Sequence, residues 1–459
     1  MPTAAETIDA SKVMNRDRAR TPPVPDQMER RMMRRDLLLA SALPVLMRAT
    51  TSIEAFATPA GGDRRAALDT FLRQQVERQR VIGITAQVVR RDGEIVYAGT
   101  AGQRDPNSHE PIQPETTLFR LASMTKPITA VAMLMLVEAG RVALDDPVSR
   151  FLPDFQALQV QTQPGHTVPE VRPPTIRDLL RHTSGLSYRF MNVPGIVEAY
   201  EWLGVDDGLA APDLTLAENL RRLAHAPLQA QPGTRWGYGL SFDVLGAVIE
   251  RVSGLPLDAF VREQIARPLG LTSLTFHVPR SEAGRMAMSM MVAEGGGLRP
   301  IVSEEGVPFP VTGGRILFDP ERAFSPEAYP SGGGGATSTL VDYVRFARLL
   351  LNRGELDGIR LLRAETVAAM SQPQTGGLPI DLAGPGYDFG YGVAVLTDPA
   401  LAKTRQPRGA YGWSGVYGTG LSVDPASELA FVVMTQTAVE GMTISDEFVR
   451  AFYNQSGGR

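Results

Sequence analysis

Ser123 and Lys126 lie three residues apart at the front of a strongly apolar stretch, residues 123–140. On a first helical turn this spacing puts both side chains on one face. A serine at a helix N-terminus sits among free backbone N–H groups, where the helix dipole favours a developing negative charge. Burial against apolar surface disfavours the charged form of a lysine, and a neutral amine can accept the proton of a serine hydroxyl. Arginine cannot, because it does not deprotonate. Of the 46 basic residues only Lys12, Lys126 and Lys403 are lysines, so position 126 keeps a lysine in a chain that otherwise uses arginine. Taken alone, the pair equally fits a serine helix cap beside a lysine whose stem lies along apolar surface. The rest of the chain has to decide.

Composition removes several other chemistries. The 459 residues contain no cysteine, which excludes disulfides, thiolate metal sites and a cysteine nucleophile. The five histidines form no HExxH or similar pair, so no metal or other cofactor is implied. A formal net charge of −4 gives no basic excess for a nucleic-acid partner. Gly412-Trp413-Ser414-Gly415-Val416 lacks the last glycine of a G-x-S-x-G elbow, so an α/β-hydrolase nucleophile is not supported.

The elements that would position Ser123 and Lys126 follow from periodicity. Residues 64–80 place Leu68, Phe71, Leu72 and Val76 at helical spacing. The runs 84–89 and 94–98 flank Arg91-Asp92-Gly93, a hairpin signal. Helices are expected over 175–182, 214–225, 241–253 and 257–266, and over 338–352 after the glycine-rich run 331–336, Ser-Gly-Gly-Gly-Gly-Ala. Late strands are expected at 391–396, 411–413, 420–423 and 429–435, before a last helix at 444–454. Strands at both ends with helices between them predict an α/β chain of α+β type. The expected fold is an antiparallel sheet flanked by terminal helices (about 64–120 plus 330–455) with an inserted, mainly helical subdomain (about 121–329).

Several segments then change the weight of S-x-x-K, which is the signature of the penicillin-recognising serine hydrolases. Phe119-Arg120-Leu121-Ala122 precedes it, and Leu144-Asp145-Asp146-Pro147-Val148 follows the helix. Leu179-Leu180-Arg181-His182-Thr183-Ser184-Gly185-Leu186 resembles the superfamily's L-L-x-H-T-S-G-L segment. Tyr238-Gly239-Leu240 falls at the Y-x-N position, and Gly335-Ala336-Thr337-Ser338-Thr339 with Asp342 and Phe346 matches a late segment. Tyr411-Gly412-Trp413-Ser414-Gly415 stands at the K/H-T-G position. Over residues 64–455, in the right order, the chain resembles the β-lactamase-fold serine hydrolases, most of all the class C β-lactamase-related carboxylesterases (family VIII esterases) and the related transesterases.

The resemblance implies a β-lactamase/transpeptidase-like fold, with Ser123 as nucleophile, Lys126 as general base and Tyr238 as a second acid/base group. It implies an oxyanion hole from the backbone N–H groups of Ser123 and Val416, and it places Trp413, Ser414, Gly415 and Leu240 against the substrate. His182 is expected to be a structural, hydrogen-bonding residue of its turn, and Lys403 a solvated loop lysine. Two departures bear on specificity. Leu240 replaces the asparagine of Y-x-N, and Trp413 replaces the cation of K/H-T-G. Both make an anion-reading pocket apolar and favour a small-molecule neutral ester over a β-lactam. Tyr188, Phe190, Met191, Tyr200 and Trp202 in 187–212, and Met286, Met288, Met290, Met291 and Phe309 in 286–316, either line an apolar substrate pocket or simply pack the inserted region. The leading expectation is a serine carboxylesterase. The alternatives are a β-lactamase or D-Ala-D-Ala carboxypeptidase, an acyltransferase using the same acyl-enzyme, and a catalytically silent binding protein. The sequence carries no signal for an oligomeric state.

The N-terminal residues read as an address rather than as fold. A basic run ending Arg34-Arg35-Asp36, the apolar 37–47 and the small-residue site Ala55-Phe56-Ala57 resemble a twin-arginine secretory signal over residues 1–57. The apolar run is too short to span a bilayer. The expected location is periplasmic or secreted, or cytoplasmic if the segment does not act as a signal.

Overall fold

The computed structural model describes residues 62–210, 213–303 and 305–454; the segment read as a signal lies outside the described residues. The elements that position the site are, in chain order, helix α1 (Gly62–Glu77), strands β1 (Gly83–Arg90) and β2 (Ile95–Gly102), and helices α2 (Thr125–Glu138), α3 (Ile176–Leu180), α4 (Ser241–Ser253) and α5 (Leu340–Leu351). Strands β3 (Tyr387–Phe389), β4 (Ala394–Leu396), β5 (Tyr411–Ser414), β6 (Gly420–Asp424) and β7 (Leu429–Thr435) follow, and helix α6 (Ile444–Asn454) ends the fold.

The seven strands form one antiparallel sheet in the order β3-β4-β5-β6-β7-β1-β2. Asp-Gly turns the chain between β1 and β2, with Gly93 at φ +99° where a side chain is disfavoured. Strand β1 is buried along nearly its whole length because β7 pairs on its other side, Ile84 opposite Thr435 and Arg90 opposite Leu429. Leu68 and Leu72 of α1 and Phe448 and Phe452 of α6 cover one face of the sheet over Ile84, Ala86, Val88 and Phe431. Helix α5 covers the other face, where the Tyr411 hydroxyl donates to the Leu350 carbonyl at 3.1 Å. Beyond it, α2 packs against α4 with almost every α2 residue buried.

The structure corrects several expected boundaries. The apolar helix starts at Thr125, and Ser123 sits in a preceding 3₁₀ turn, Ala122–Met124, entered through Ala122 at φ +46°. The run 391–396 is not one strand: Gly390-Tyr391-Gly392 turns the chain, with Gly392 at φ +79°, so strands form on both sides of it. The expected helix 257–266 is α-helical over Leu257–Val261 and widens to a π turn over Arg262–Ala266. The middle region also carries three small hairpins, 159–169, 290–300 and 305–318, that periodicity did not suggest. Their strands are short and mostly half-exposed, so they lack a clean alternating pattern.

Asp178 holds the L-L-R-H-T-S-G-L turn. It is fully buried, and its carboxylate accepts from Arg172 at 2.6 Å, Arg181 at 3.0 Å, and the Thr175 and Thr183 hydroxyls at 2.8 and 2.9 Å. Burial opposes its charge, but the hydrogen bonds from Arg172 and Thr175 and the Arg172 charge outweigh that and bring the carboxyl down to about 2. A carboxyl depressed on folding stabilises above its unfolded value near 4 and loses that contribution as pH falls towards 2. Asp178→Asn is therefore expected to cost about 2 kcal/mol at pH 7. Urea titrations should show the gap to the parent protein narrowing between about pH 4 and 2.

Candidate active site

Helix α2 and its 3₁₀ entry bring Ser123 and Lys126 onto one face. Lys126 is 1% exposed, and its Nζ lies 3.1 Å from Ser123 Oγ. Its second hydrogen bond goes to the Gly333 carbonyl at 2.8 Å. Tyr238, just before α4, places its hydroxyl 2.6 Å from Ser123 Oγ. Its ring passes 4.6 Å from Lys126 Nζ, close enough for the cation form of the amine to be held by the ring face. One hydroxyl thus touches an amine and a phenol that can both carry its proton.

Strand β5 supplies the opposite wall. Trp413 Nε1 donates to the Tyr238 oxygen at 3.3 Å, so an indole N–H stands where the sequence pattern would put a cation. Val416 lies on the same cavity wall as Ser123, and among the described residues its amide has no protein acceptor. Ser123, Tyr238, Trp413, Ser414 and Val416 all line one cavity of about 150 Å³. Tyr188, Phe190, Leu209, Phe309 and Ile316 extend that wall with apolar and aromatic surface.

Two residues expected against the substrate lie off the cavity wall. Leu240 is fully buried in the main core and does not reach the cavity. It occupies the cap position of α4 with its amide on the Ser187 carbonyl at 3.3 Å, which turns the side chain inward. Gly415 is also off the cavity wall. Its amide closes a turn onto Thr419, and a β-carbon there would come within 2.2 Å of the Leu121 carbonyl, so its part is to let β5 approach the 3₁₀ turn. Of the aromatic and methionine groups, Tyr188, Phe190 and Phe309 line the cavity. Tyr200 is buried under Ser187, Trp202 faces solvent at 86% exposure, and the methionines lie elsewhere.

His182 is fully buried, but among the described residues neither ring nitrogen has a hydrogen-bond partner. It sits at 4.9–5.9 Å among the rings of Tyr238, Phe242, Phe389 and Trp236. The expected hydrogen bonding of its turn is made by the backbone, His182 N to Leu179 and Gly237 N to the His182 carbonyl. Burial first, and then the Lys126 charge, push the imidazole well below its usual value. It is a neutral ring in an aromatic box, with no hydrogen bond to Ser123 among the described residues. Lys403 is exposed in its loop, as expected.

Sequence reasoning missed Gly333, whose contribution is a main-chain carbonyl and so leaves no residue-type signal. It also missed Asp207, a buried cavity residue that burial pushes up to about 7 against the pull of Arg189. Among the described residues no group of three or more His, Cys, Asp or Glu could hold a metal ion, and no helix is long and apolar enough to cross a membrane.

The chain is similar over most of its length to known proteins. The chain is 41% identical over 382 residues to Esterase EstB of Burkholderia gladioli, covering 82% of this chain and 92% of that protein. It is 31% identical to the Monacolin J acid methylbutanoyltransferase of Aspergillus terreus, over 68% of this chain and 72% of that one. Among solved structures, EstCE1, a hydrolase with promiscuous acyltransferase activity, superposes with a TM-score of 0.77 at 34% identity, covering 86% of this chain and 98% of its own. The Beta-lactamase family model matches residues 68–454, and the chain belongs to that family.

Proposed function

We propose that this protein is a serine carboxylesterase that cleaves neutral carboxylic esters through an acyl-enzyme on Ser123. The observation that carries the reading is Ser123 Oγ held 3.1 Å from Lys126 Nζ and 2.6 Å from Tyr238 Oη at the wall of an aromatic-lined cavity. As Oγ bonds to the ester carbonyl carbon, its proton passes to the Lys126–Tyr238 pair and the carbonyl electron pair moves onto oxygen. The N–H groups of Ser123 and Val416 take that oxyanion, each donor contributing roughly 3–4 kcal/mol when aimed at the transition state. Collapse breaks the ester C–O bond, and the departing alkoxide takes the proton back. Water repeats the sequence on the acyl-enzyme and releases the acid. The Trp413 N–H, donating to the Tyr238 oxygen, stabilises negative charge that builds there.

Trp413 also argues against β-lactams, because a neutral indole offers no charge to a substrate carboxylate. The test runs a short-chain p-nitrophenyl ester and a chromogenic cephalosporin side by side. Ester turnover at least about a hundred-fold faster in kcat/KM, about 2.7 kcal/mol, is expected. Ring opening at a comparable rate would put a β-lactamase reading in front.

The likeness to a hydrolase with acyltransferase activity and to a methylbutanoyltransferase supports a second outcome for the same acyl-enzyme. An alcohol that outcompetes water in the apolar cavity would yield a new ester, visible as transesterification when alcohol is added. The basic and apolar run before residue 57 supports export; fractionation of cells carrying Arg34→Lys with Arg35→Lys tests it.

A further inference from the structure

Asp243 has no part in the steps above, yet it lies behind them. It sits in the first turn of α4, five residues after Tyr238 in the chain, and is fully buried. Its Oδ1 accepts from Ser331 Oγ at 2.7 Å, while Oδ2 has no hydrogen-bond partner among the described residues. Ser331 opens the glycine run and folds it: the Ser331 hydroxyl also accepts from the Gly334 amide at 3.0 Å, and its carbonyl accepts from the Gly335 amide at 2.9 Å. Between these anchors lies Gly333, whose carbonyl takes the Lys126 hydrogen bond. A β-carbon at Gly333 would come within 2.6 Å of Asp243 Oδ2 and 2.7 Å of the Tyr188 hydroxyl, so carboxylate, phenol and glycine backbone are in close contact.

A buried carboxyl with one free oxygen is costly unless its charge is used. The charged and titratable groups around it are Lys126 from α2, Tyr188 and Asp206 from the segment after α3, and Arg322 and Tyr329 from the segment before the glycine run. Burial pushes its carboxyl up to about 6, with the Ser331 hydrogen bond and the Lys126 and Arg322 charges pulling the other way. Above that value the carboxylate is a fixed negative charge behind the amine. Such a charge helps the amine to receive a proton, because interaction between charges is strong where water is excluded.

We propose that Asp243 is a positioning residue for Lys126, acting in two ways: its charge favours the ammonium formed when Lys126 takes the Ser123 proton, and its bond to Ser331 holds the Gly333 carbonyl that orients the amine. The inference rests on the Ser123–Lys126 reading given above. It accounts for an acid that the ester chemistry itself never touches and for a glycine where no side chain fits.

The test is the pH dependence of kcat/KM for a p-nitrophenyl ester in the parent, Asp243→Asn and Ser331→Ala proteins, with thermal melts in parallel. In D243N the acceptor for Ser331 remains but the charge is gone, which makes the amine a weaker base that is freed of its proton more easily. The plateau should fall about ten-fold, and the acid limb should move to lower pH by about half a unit or more. A merely structural Asp243 would lower the melting temperature and leave the limb in place; that result overturns the proposal. In S331A kcat should fall about five-fold or more as the carbonyl loses its anchor, and parent-like kcat overturns the orienting role. If D243N does not fold, S331A decides alone by the same criterion. Labelling of Ser123 by a fluorophosphonate separates this inference from its foundation. A parent that labels, with variant profiles unchanged, sinks only the role of Asp243; a parent that neither labels nor turns over ester sinks both.

Discussion

Ser123→Ala is expected to lose about 10⁵-fold in kcat/KM for p-nitrophenyl esters, in the range found when a serine nucleophile is removed from its catalytic group. The loss should be total with respect to covalent chemistry: no burst of alcohol release and no labelling by a fluorophosphonate. The fold should survive, because Ser123 is only half-buried and its side chain contacts are those to Lys126 and Tyr238. Lys126 would keep its bond to Gly333 and Tyr238 its bond to Trp413. Melting temperature and ligand protection by a non-reactive ester analogue should therefore stay near the parent values. Retained turnover in the alanine variant would remove the acyl-enzyme from the mechanism.

Lys126→Arg is expected to lose about 10³-fold or more, in the range assigned to general acid–base catalysis. The substitution keeps a cation and adds hydrogen-bond donors, so a site that needed only positive charge would survive it. A site that needs an amine able to give up its proton would not, because guanidinium stays protonated. The space around Nζ is also closed by the rings of Tyr188 at 5.3 Å and Tyr238 at 4.6 Å, and a forked guanidinium does not fit the single point that Ser123 and Gly333 share. Tyr238→Phe should lose about 10²-fold, with the larger loss marking lysine as the principal base. Reversal of that ranking, read from steady-state kinetics, would make the phenol the base and the amine its electrostatic support.

Much of this site was legible because its chemistry depends on side-chain type at fixed spacing. Ser123 and Lys126 are locked together by one helical turn, and Tyr238 was named through the Y-x-N resemblance, ahead of a helix that runs over Ser241–Ser253 as expected. The sheet was legible where a turn residue announces itself, as at Asp92-Gly93. What could not be read is whatever depends on direction. Leu240 holds the right position in its motif, but helix capping turns it into the core. Gly415 supports a close approach rather than a ligand. The Gly333 carbonyl acts through backbone, and the solitude of the His182 nitrogens depends on four rings brought together from distant segments. The small hairpins of the middle region depend on tertiary packing that a short, half-exposed strand does not encode locally.

The pairing of β1 with β7 has a consequence for biosynthesis. Ile84 cannot meet Thr435 until the ribosome has made everything between them. Ser123 and Lys126 are translated well before Trp413, on β5, and Val416, in the turn between β5 and β6, the strand that pairs with β7. A nascent chain therefore holds the proposed nucleophile and base, from residue 126 until residue 416 has been made, with no anion pocket and no closed sheet to seat them. Pairings this distant in sequence also slow folding. The proposed ester chemistry therefore waits for β5, β6 and β7 to dock, and a product that stops short of them is left without it.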